Sequence, residues 1–474
     1  MKVEQIYTGC LAHGAYYIES NGEAAVIDPL RDIQSYLDLA QSRGATIKYI
    51  FETHFHADFV SGHLDLAKKT GAPVIYGPTL MQTGFDFIAA ADGQEFPLGN
   101  VKFRLIHTPG HTLESSCYLL LDEQGKPTSI FTGDTLFIGD VGRPDLAQHV
   151  IADLTEEKLA GMLYDSIHQK ILPLPDDIIV YPGHGAGSAC GKKMSSETQD
   201  TLGNQKKNNY ALQPDLSKSD FTAALLDGLT TPPGYFPKNV MMNIKGYDQF
   251  DEVLKRGLQS HSADAFEVIL AETGSLLIDT RKADLFASGF IPGSINIGID
   301  GSFAVWIGTL VENINQKIVF IADPGREEEV VTRLARVGYD HCIGYLKGGF
   351  DAWRNAGKAV ETITSVSPEQ LAREMEENRN ILILDVRKRS EFDAEHIEGA
   401  LNTPLDYINQ AIPQIDPDKK YYVHCAAGYR SMVFTSILRS KGYHNLIDVS
   451  GGFKAIKACG KFNITDYVAP ATDL

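Results

Sequence analysis

The second half of this chain repeats itself, and the repeat constrains what the chain can fold into. Leu276-Leu277-Ile278-Asp279-Thr280-Arg281 returns as Ile383-Leu384-Asp385-Val386-Arg387. Ile291-Pro292-Gly293-Ser294-Ile295-Asn296 returns as Ile397-Glu398-Gly399-Ala400-Leu401-Asn402, and Gly348-Gly349-Phe350 returns as Gly451-Gly452-Phe453. The offset of about 105 residues is that of a domain, not of a solenoid repeat. Each copy alternates short apolar strands with amphipathic helical stretches, the pattern of a parallel α/β sheet. The copies are placed at residues 243–358 and 365–462, with a tail at 463–474. A break falls near Thr362-Ile363-Thr364-Ser365, before a helix start at Ser367-Pro368-Glu369-Gln370.

Residues 1–240 read differently. Apolar strands Ile47–Phe51, Val101–Ile106, Ser129–Thr132 and Ile178–Tyr181 each run into a Gly- or His-bearing loop that holds a candidate metal ligand. Strand ends followed by such loops are where rigid scaffolds present reactive groups. Ala24–Ile27 is a further short strand, and Thr230-Thr231-Pro232-Pro233-Gly234-Tyr235-Phe236-Pro237 reads as a linker and hinge, neither regular helix nor central strand.

At 474 residues the chain has room for roughly two to four domains. No stretch approaches the apolar length of a membrane span, and Met1-Lys2-Val3-Glu4-Gln5 does not begin a signal peptide, so a cytoplasmic location is expected. The formal charge of −18 argues against nucleic acid or an anionic membrane as partner, though a small anion remains compatible with it. Cys10, Cys117, Cys190, Cys342, Cys425 and Cys459 are scattered, forming neither a disulfide framework nor a zinc ribbon.

Candidate metal ligands are His54, His56, Asp58, His111, Asp134 and His184. Two histidines and one carboxylate with open positions suit non-haem Fe(II), whereas three histidines with a water suit Zn²⁺ and hydrolysis. Phe59 puts an apolar ring directly after Asp58, where a two-metal site would want another ligand. His13, His63 and His149 read as structural histidines.

The order His54-x-His56-x-Asp58, Thr108-Pro109-Gly110-His111-Thr112, Thr132-Gly133-Asp134 and Pro182-Gly183-His184 resembles the metallo-β-lactamase fold. Within it, Phe59 makes the chain similar to the persulfide dioxygenase branch and not to the two-metal glyoxalase II branch. The resemblance implies an αβ/βα sandwich and one Fe(II) per chain on His54, His111 and Asp134, with Zn as the alternative. His56, Asp58 and His184 would then orient the ligands or hold water. It also implies that Arg143, in Gly142-Arg143-Pro144-Asp145, binds a carboxylate of the thiol carrier. Cys190, beside Lys192 and Lys193, is expected to have a lowered thiol pKa and to contact substrate together with these lysines.

In the last domain an apolar strand ends at Cys425, a loop of Ala426, Ala427, Gly428, Tyr429 follows, and a helix begins at Arg430-Ser431. This places a thiol over a helix N-terminus, where backbone N–H groups stabilise a thiolate or an anion. The segment is similar to the rhodanese active loop, with Cys425 as nucleophile and Arg430 five positions on, a loop short enough to suit a persulfide sulfur. The earlier copy has Ala322 or Asp323 at that place and reads as a catalytically silent rhodanese-like domain, serving as spacer, dimer surface or pocket wall.

These readings give an α/β chain: a metallo-β-lactamase-like sandwich followed by two rhodanese-like parallel α/β domains. The implied activity is oxidation of a low-molecular-weight persulfide by O₂ to sulfite and thiol, coupled to sulfur transfer at Cys425 that yields thiosulfate when sulfite is the acceptor. The alternative is a Zn-dependent glyoxalase II-like thioesterase fused to a sulfurtransferase. Expected partners are a small persulfide, O₂, and sulfite or thiosulfate, with no nucleic acid or membrane and with room for a homo-oligomer.

Overall fold

The computed structural model describes residues 1–146, 154–229, 231–378 and 380–469. His149, Thr230 of the linker and residues 470–474 of the tail lie outside them. The chain divides into two compact units. One is built on residues 1–250 with 335–338, the other on residues 251–334 and those from 339 onward.

The first unit is a sandwich of two six-stranded sheets among the described residues. One runs in chain order: Lys2–Thr8, His13–Ser20, Glu23–Ile27, Thr46–Phe51, Val74–Tyr76 and Ile88–Ala89. The other is ordered Asp200–Thr201, Ile179–Pro182, Pro127–Gly133, Ser116–Leu121, Val101–His107 and Glu95–Leu98. Alternation decides which face turns inward: in Val101–His107, Val101, Phe103 and Leu105 are buried while Lys102 and Arg104 are half-exposed. The inner layer is rich in aromatic rings. Phe51 meets Tyr118 across the sheets at 4.5 Å and Phe103 at 5.1 Å between ring centroids, and such pairs add about 1 kcal/mol each beyond their burial.

Helices cover both outer faces. Gln34–Arg43 and His63–Thr70 pack Tyr36, Ala40 and Leu66 on the first sheet. Glu156–Ser166 and Lys218–Leu226 pack Leu163 and Phe221 on the second. The αβ/βα layering follows, with the four ligand-bearing loops leaving the strands Thr46–Phe51, Val101–His107, Pro127–Gly133 and Ile179–Pro182.

The expected linker is shorter than its sequence suggests. A helix starts at Phe236 and runs to Lys245, so Phe236 and Pro237 are helical. Pro237 sits in the first turn, where its missing N–H costs nothing. The helix continues past residue 240, and its Asn243 is hydrogen-bonded to the loop that carries the candidate metal ligands His54, His56 and Asp58.

The second unit holds the two copies. Each is a five-stranded, all-parallel sheet with the same order. The first runs Ser260–His261, Cys342–Leu346, Ile318–Ile321, Leu276–Asp279, Ile295–Asn296. The second runs Ser365–Val366, Leu446–Val449, Tyr421–His424, Leu382–Asp385, Leu401–Asn402.

The repeated motifs turn out to be repeated bonds. Arg281 donates from Nε to Asp279 at 2.9 Å and lies 4.1 Å over the Phe350 ring. Arg387 donates to Asp385 at 2.9 Å and lies 3.9 Å over Phe453. Asn296 Nδ2 donates to the carbonyls of Asp279 and Arg281, and Asn402 Nδ2 to those of Asp385 and Arg387, all at 2.9–3.0 Å. The two copies also touch. The Tyr429 hydroxyl donates to Gly298 O at 2.8 Å, and its ring lies so close to Gly301 that a Cβ there would come within 2.4 Å.

Candidate metal centre and sulfur-transfer loop

His54, His111 and Asp134 come together, each buried and each offering one ligand atom within 4.8 Å of the others. Asp134 Oδ2 lies 3.9 Å from His54 Nε2 and 3.5 Å from His111 Nε2. Neighbouring hydrogen bonds fix which atoms point inward. His111 Nδ1 is 2.8 Å from Arg143 O, an acceptor only, so Nδ1 carries the proton and Nε2 presents a lone pair. The Thr53 hydroxyl donates to Asp28 Oδ2 at 2.9 Å, so it accepts from His54 Nδ1, also at 2.9 Å, and His54 Nε2 is likewise left with its lone pair. Asp134 Oδ1 accepts from His184 Nδ1 at 2.7 Å, which leaves Oδ2. His111 Nε2 and Asp134 Oδ2 are buried with no protein partner. Buried polar atoms without partners are costly, and a divalent cation satisfies these. Gly183 belongs to the arrangement, because a Cβ there would stand 2.7 Å from Asp134 Oδ1.

Charges around the trio are balanced by protein groups. Burial, then the neighbouring His56, holds the His54 imidazole well below its usual value. Burial opposes charge on His184, but Asp134 and Asp58 outweigh it and hold its pKa up at about 10. His184 Nε2 lies 2.8 Å from Asp58 Oδ2, so it bridges two carboxylates. His56 is turned to a separate buried group, 3.1 Å from Asp28 and 3.5 Å from Glu52. Phe59 fills the space between, its ring centroid 4.3 Å from those of both His56 and His13. His63 stands 3.6 Å from Glu52 and His13 Nε2 is 2.9 Å from Asp28 O.

Two residues expected to contact substrate, Arg143 and Cys190, lie in the interior. Arg143 is buried, and both prongs of its guanidinium donate to Asp145 at 2.6 Å while Nη1 donates to Ala189 O. Its own backbone carbonyl accepts from His111 Nδ1, so the loop held by these bonds orients that imidazole. Cys190 is buried, and its thiol is pushed well above the ordinary value by burial and then by Asp58 and Asp134. The expected lowering fails because burial and these two carboxylates oppose the thiolate, and Lys192 is engaged elsewhere. Lys192 Nζ donates to Ala224 O at 2.6 Å and Asp227 O at 2.7 Å, and the backbone N–H groups of Lys192 and Lys193 both donate to Asp140. Cys190 does lie close to the centre, its Sγ within 4.8 Å of ligand atoms of Asp58 and His184.

Asn243 carried no signal in the sequence. Its Nδ2 donates to His56 O and Phe59 O at 2.8 Å, and its Oδ1 accepts from Ser61 N at 2.9 Å. One buried amide therefore clamps the loop that carries the metal ligand.

In the second unit the strand Tyr421–His424 delivers Cys425 and the helix Tyr429–Ser440 follows. Gly428 caps that helix at φ +101°, a conformation glycine adopts without strain, and its N–H donates to Cys425 Sγ at 3.1 Å. Ala426 and Ala427 complete the turn. The Arg430 guanidinium is held by Glu391, Nη2 to Oε1 at 2.8 Å. Ser431 Oγ is 3.7 Å from Cys425 Sγ and donates to Asp448 at 2.8 Å. Strand register aligns the two copies: Leu276 pairs with Ile318 as Leu382 pairs with Tyr421, so Ala322 stands where Cys425 does. Cys342 is no substitute, being buried in a strand with its thiol pushed up to about 12 by burial.

The metallo-beta-lactamase superfamily model matches residues 8–184, and the rhodanese-like domain model matches 262–356 and 367–459. A solved metallo-beta-lactamase from Staphylococcus aureus is 32% identical, with a TM-score of 0.64, over 73% of this chain and 98% of that one. The chain belongs to the metallo-β-lactamase superfamily. It carries two rhodanese-like domains behind the lactamase-fold domain. Among curated relatives, a cytoplasmic hydroxyacylglutathione hydrolase of Arabidopsis thaliana is 30% identical over 179 residues, 37% of this chain and 65% of that protein. A beta-lactamase hydrolase-like protein of Xylella fastidiosa is 31% identical over 224 residues, 41% of this chain and 48% of that protein. The chain thus spans about half to two thirds of the curated relatives it matches. Among the described residues no helix is long and apolar enough to cross a membrane.

Proposed function

We propose that the lactamase-fold domain is a persulfide dioxygenase and that the last domain is its sulfurtransferase. A persulfide RSSH, one O₂ and one water give sulfite, the thiol RSH and two protons. The observation that carries the reading is the environment of Phe59. An apolar ring stands beside His56 and His13, so no imidazole follows Asp58, while His54 Nε2, His111 Nε2 and Asp134 Oδ2 are turned to one position.

Two imidazoles and a carboxylate are a donor set for Fe(II), which when bound would supply open positions for oxygen and a sulfur ligand. The chain's own part is to set the tautomers. Arg143 O and Thr53 Oγ1 hold the two Nδ1 protons, and His184 holds Asp134 to one free oxygen. At the second site, the Gly428 N–H supports negative charge on Cys425 Sγ. The thiolate attacks the sulfane sulfur of a donor, forming Cys–S–SH and releasing the donor's leaving thiol or sulfite. An acceptor then takes that sulfur; with sulfite the product is thiosulfate.

A second reading, a Zn-dependent thioesterase, is favoured by the curated relatives named hydroxyacylglutathione hydrolase. Oxygen uptake driven by a persulfide on iron-loaded protein, with no hydrolysis of S-acyl glutathione by zinc-loaded protein, supports the first reading. The opposite pair of results rejects it.

A further inference from the structure

The sulfur of Cys425 has two partners in its loop. The Gly428 N–H donates to Sγ at 3.1 Å, and Sγ donates to Ser431 Oγ at 3.7 Å. Ser431 stands in the first turn of the helix Tyr429–Ser440 and has one hydroxyl proton to give. Of its two acceptors, Asp448 Oδ1 at 2.8 Å and Gly428 O at 3.2 Å, the carboxylate is the nearer. Ser365 Oγ donates to the other oxygen of Asp448, Oδ2, at 3.3 Å. Thiol, hydroxyl and carboxylate thus form one buried chain of hydrogen bonds.

The earlier copy has none of the three members. Gly325 there and Gly428 in the last domain both take positive φ, +86° and +101°, so the two loops align without a gap. Ala322 stands at the place of Cys425, and Glu328, six positions on, at that of Ser431. Phe320 pairs with Tyr345 as Val423 pairs with Asp448, so Tyr345 stands at the place of Asp448. Three residues present together in one copy and missing together from the other serve one task.

We infer that Asp448 is a positioning residue for sulfur transfer, receiving through Ser431 the proton that the Cys425 thiol sheds on attack. The inference rests on the sulfurtransferase reading of the last domain. The thiol proton passes to Ser431 Oγ while the Ser431 hydroxyl proton passes to Asp448 Oδ1. Sγ forms a bond to the sulfane sulfur of the donor, the donor's own S–S bond breaks, and its electron pair leaves on the thiol or sulfite. The proton returns by the same path when an acceptor carries the sulfur off and the Cys425 thiol re-forms. Burial lifts the Asp448 carboxyl to about 6, so it is ionised at neutral pH and a stronger base than an exposed aspartate. Other charged or titratable groups face this chain from both sides. Arg430, held by Glu391, acts on Cys425, and burial lowers His424 on the strand beside Asp448. Lys282, Asp284 and Asp300 of the earlier copy line, with Asp448, a cavity of about 620 Å³.

The test uses the full-length protein, with thiosulfate as donor and cyanide as acceptor, and follows kcat/KM against pH. Asp448→Asn keeps the shape, removes a buried charge and cannot take up the proton. It should lower kcat/KM by about a hundredfold at about pH 7. Native kcat/KM should fall as pH drops through about 6. In the variant the fall should begin below about pH 8.5, where the thiol stops ionising without a base, so the two profiles converge above it. Ser431→Ala should show the same deficit, and the double variant no larger one.

A second measurement needs no turnover: alkylation of Cys425 by iodoacetamide, read by mass spectrometry of its peptide. A carboxylate that was only a neighbour would disfavour the thiolate, so its removal would speed alkylation. The relay predicts the opposite sign, slower alkylation of Asp448→Asn at neutral pH. Sulfur transfer that is unchanged in Asp448→Asn, or reduced equally at every pH, overturns the inference and leaves the sulfurtransferase reading intact. Unchanged or faster alkylation overturns it too. If the native protein moves no sulfur from thiosulfate but Asp448→Asn slows alkylation, the sulfurtransferase reading falls and the relay stands.

Discussion

His184 donates from Nδ1 to Oδ1 of Asp134 at 2.7 Å, and so leaves that carboxylate with a single oxygen turned toward His54 and His111. The imidazole acts on the centre by holding a ligand in place. Partners of this kind are worth about tenfold to a hundredfold in metal affinity. His184→Leu should therefore weaken iron binding by about that factor in a chelator competition, with His54 and His111 untouched. Unchanged affinity would mean that Asp134 needs no such support.

The two chemistries should separate by mutation. His111→Ala should abolish persulfide-driven oxygen uptake and lower bound iron, while thiosulfate-dependent sulfur transfer persists. Cys425→Ser should abolish sulfur transfer and leave oxygen uptake. Loss of both activities in both folded variants would sink the proposed division of labour.

Phe59→His restores an imidazole beside Asp58 and His184. Metal content measured by mass spectrometry should rise from about one per chain toward two. A stoichiometry that stays at one would show that the His184 ion pairs, more than the phenyl ring, keep a second cation out.

Asn243→Ala removes three hydrogen bonds from buried backbone groups of His56, Phe59 and Ser61. Groups left unpaired inside a protein cost about 1–3 kcal/mol each, so the first unfolding transition should fall by several kcal/mol in urea. A loss below about 1 kcal/mol would mean that water replaces the amide.

Much of this centre is legible in the sequence because each ligand closes an apolar strand. The phase of strand and turn carries His54, His111 and Asp134 to the same edge of the sandwich. Asn243 is illegible for the converse reason: it reaches His56 from 187 residues away, on a helix whose pattern announces only that it is amphipathic. Cys190 shows a different failure. Lys192 and Lys193 adjoin it along the chain, but charge acts through space, and what faces the sulfur is Asp58 and Asp134. Pro237 misleads because its meaning depends on position, breaking a helix inside and starting one at the first turn. The Asp-x-Arg and Gly-Gly-Phe repeats are legible as repeats, and only the structure shows that they stack a guanidinium on a ring in both copies.

Asp448 gives the last domain a pH dependence. Burial lifts its carboxyl to about 6, while hydrogen bonds from Ser431 and Ser365 work against the rise. The native state thus binds the proton more tightly than the unfolded chain, whose value lies near 3.8. The stability this gives is complete below that lower value and is lost as pH rises through about 6. Asp448→Asn should leave the last domain more stable by roughly 2–3 kcal/mol at pH 8 and no different below pH 4. Thermal melts at the two pH values check it, and equal melting temperatures at pH 8 would show that Asp448 carries no such penalty.

Ala322 marks a copy with no cysteine at that strand end, yet the ring of Tyr429 lies against that same copy at Gly301. Position 301 is closed to side chains, because a Cβ there would stand 2.4 Å from the Tyr429 ring of the twin's loop. The copy without a loop cysteine is in this way bound up with the copy that has one, because position 301 of the first sets how the Tyr429 ring of the second can lie.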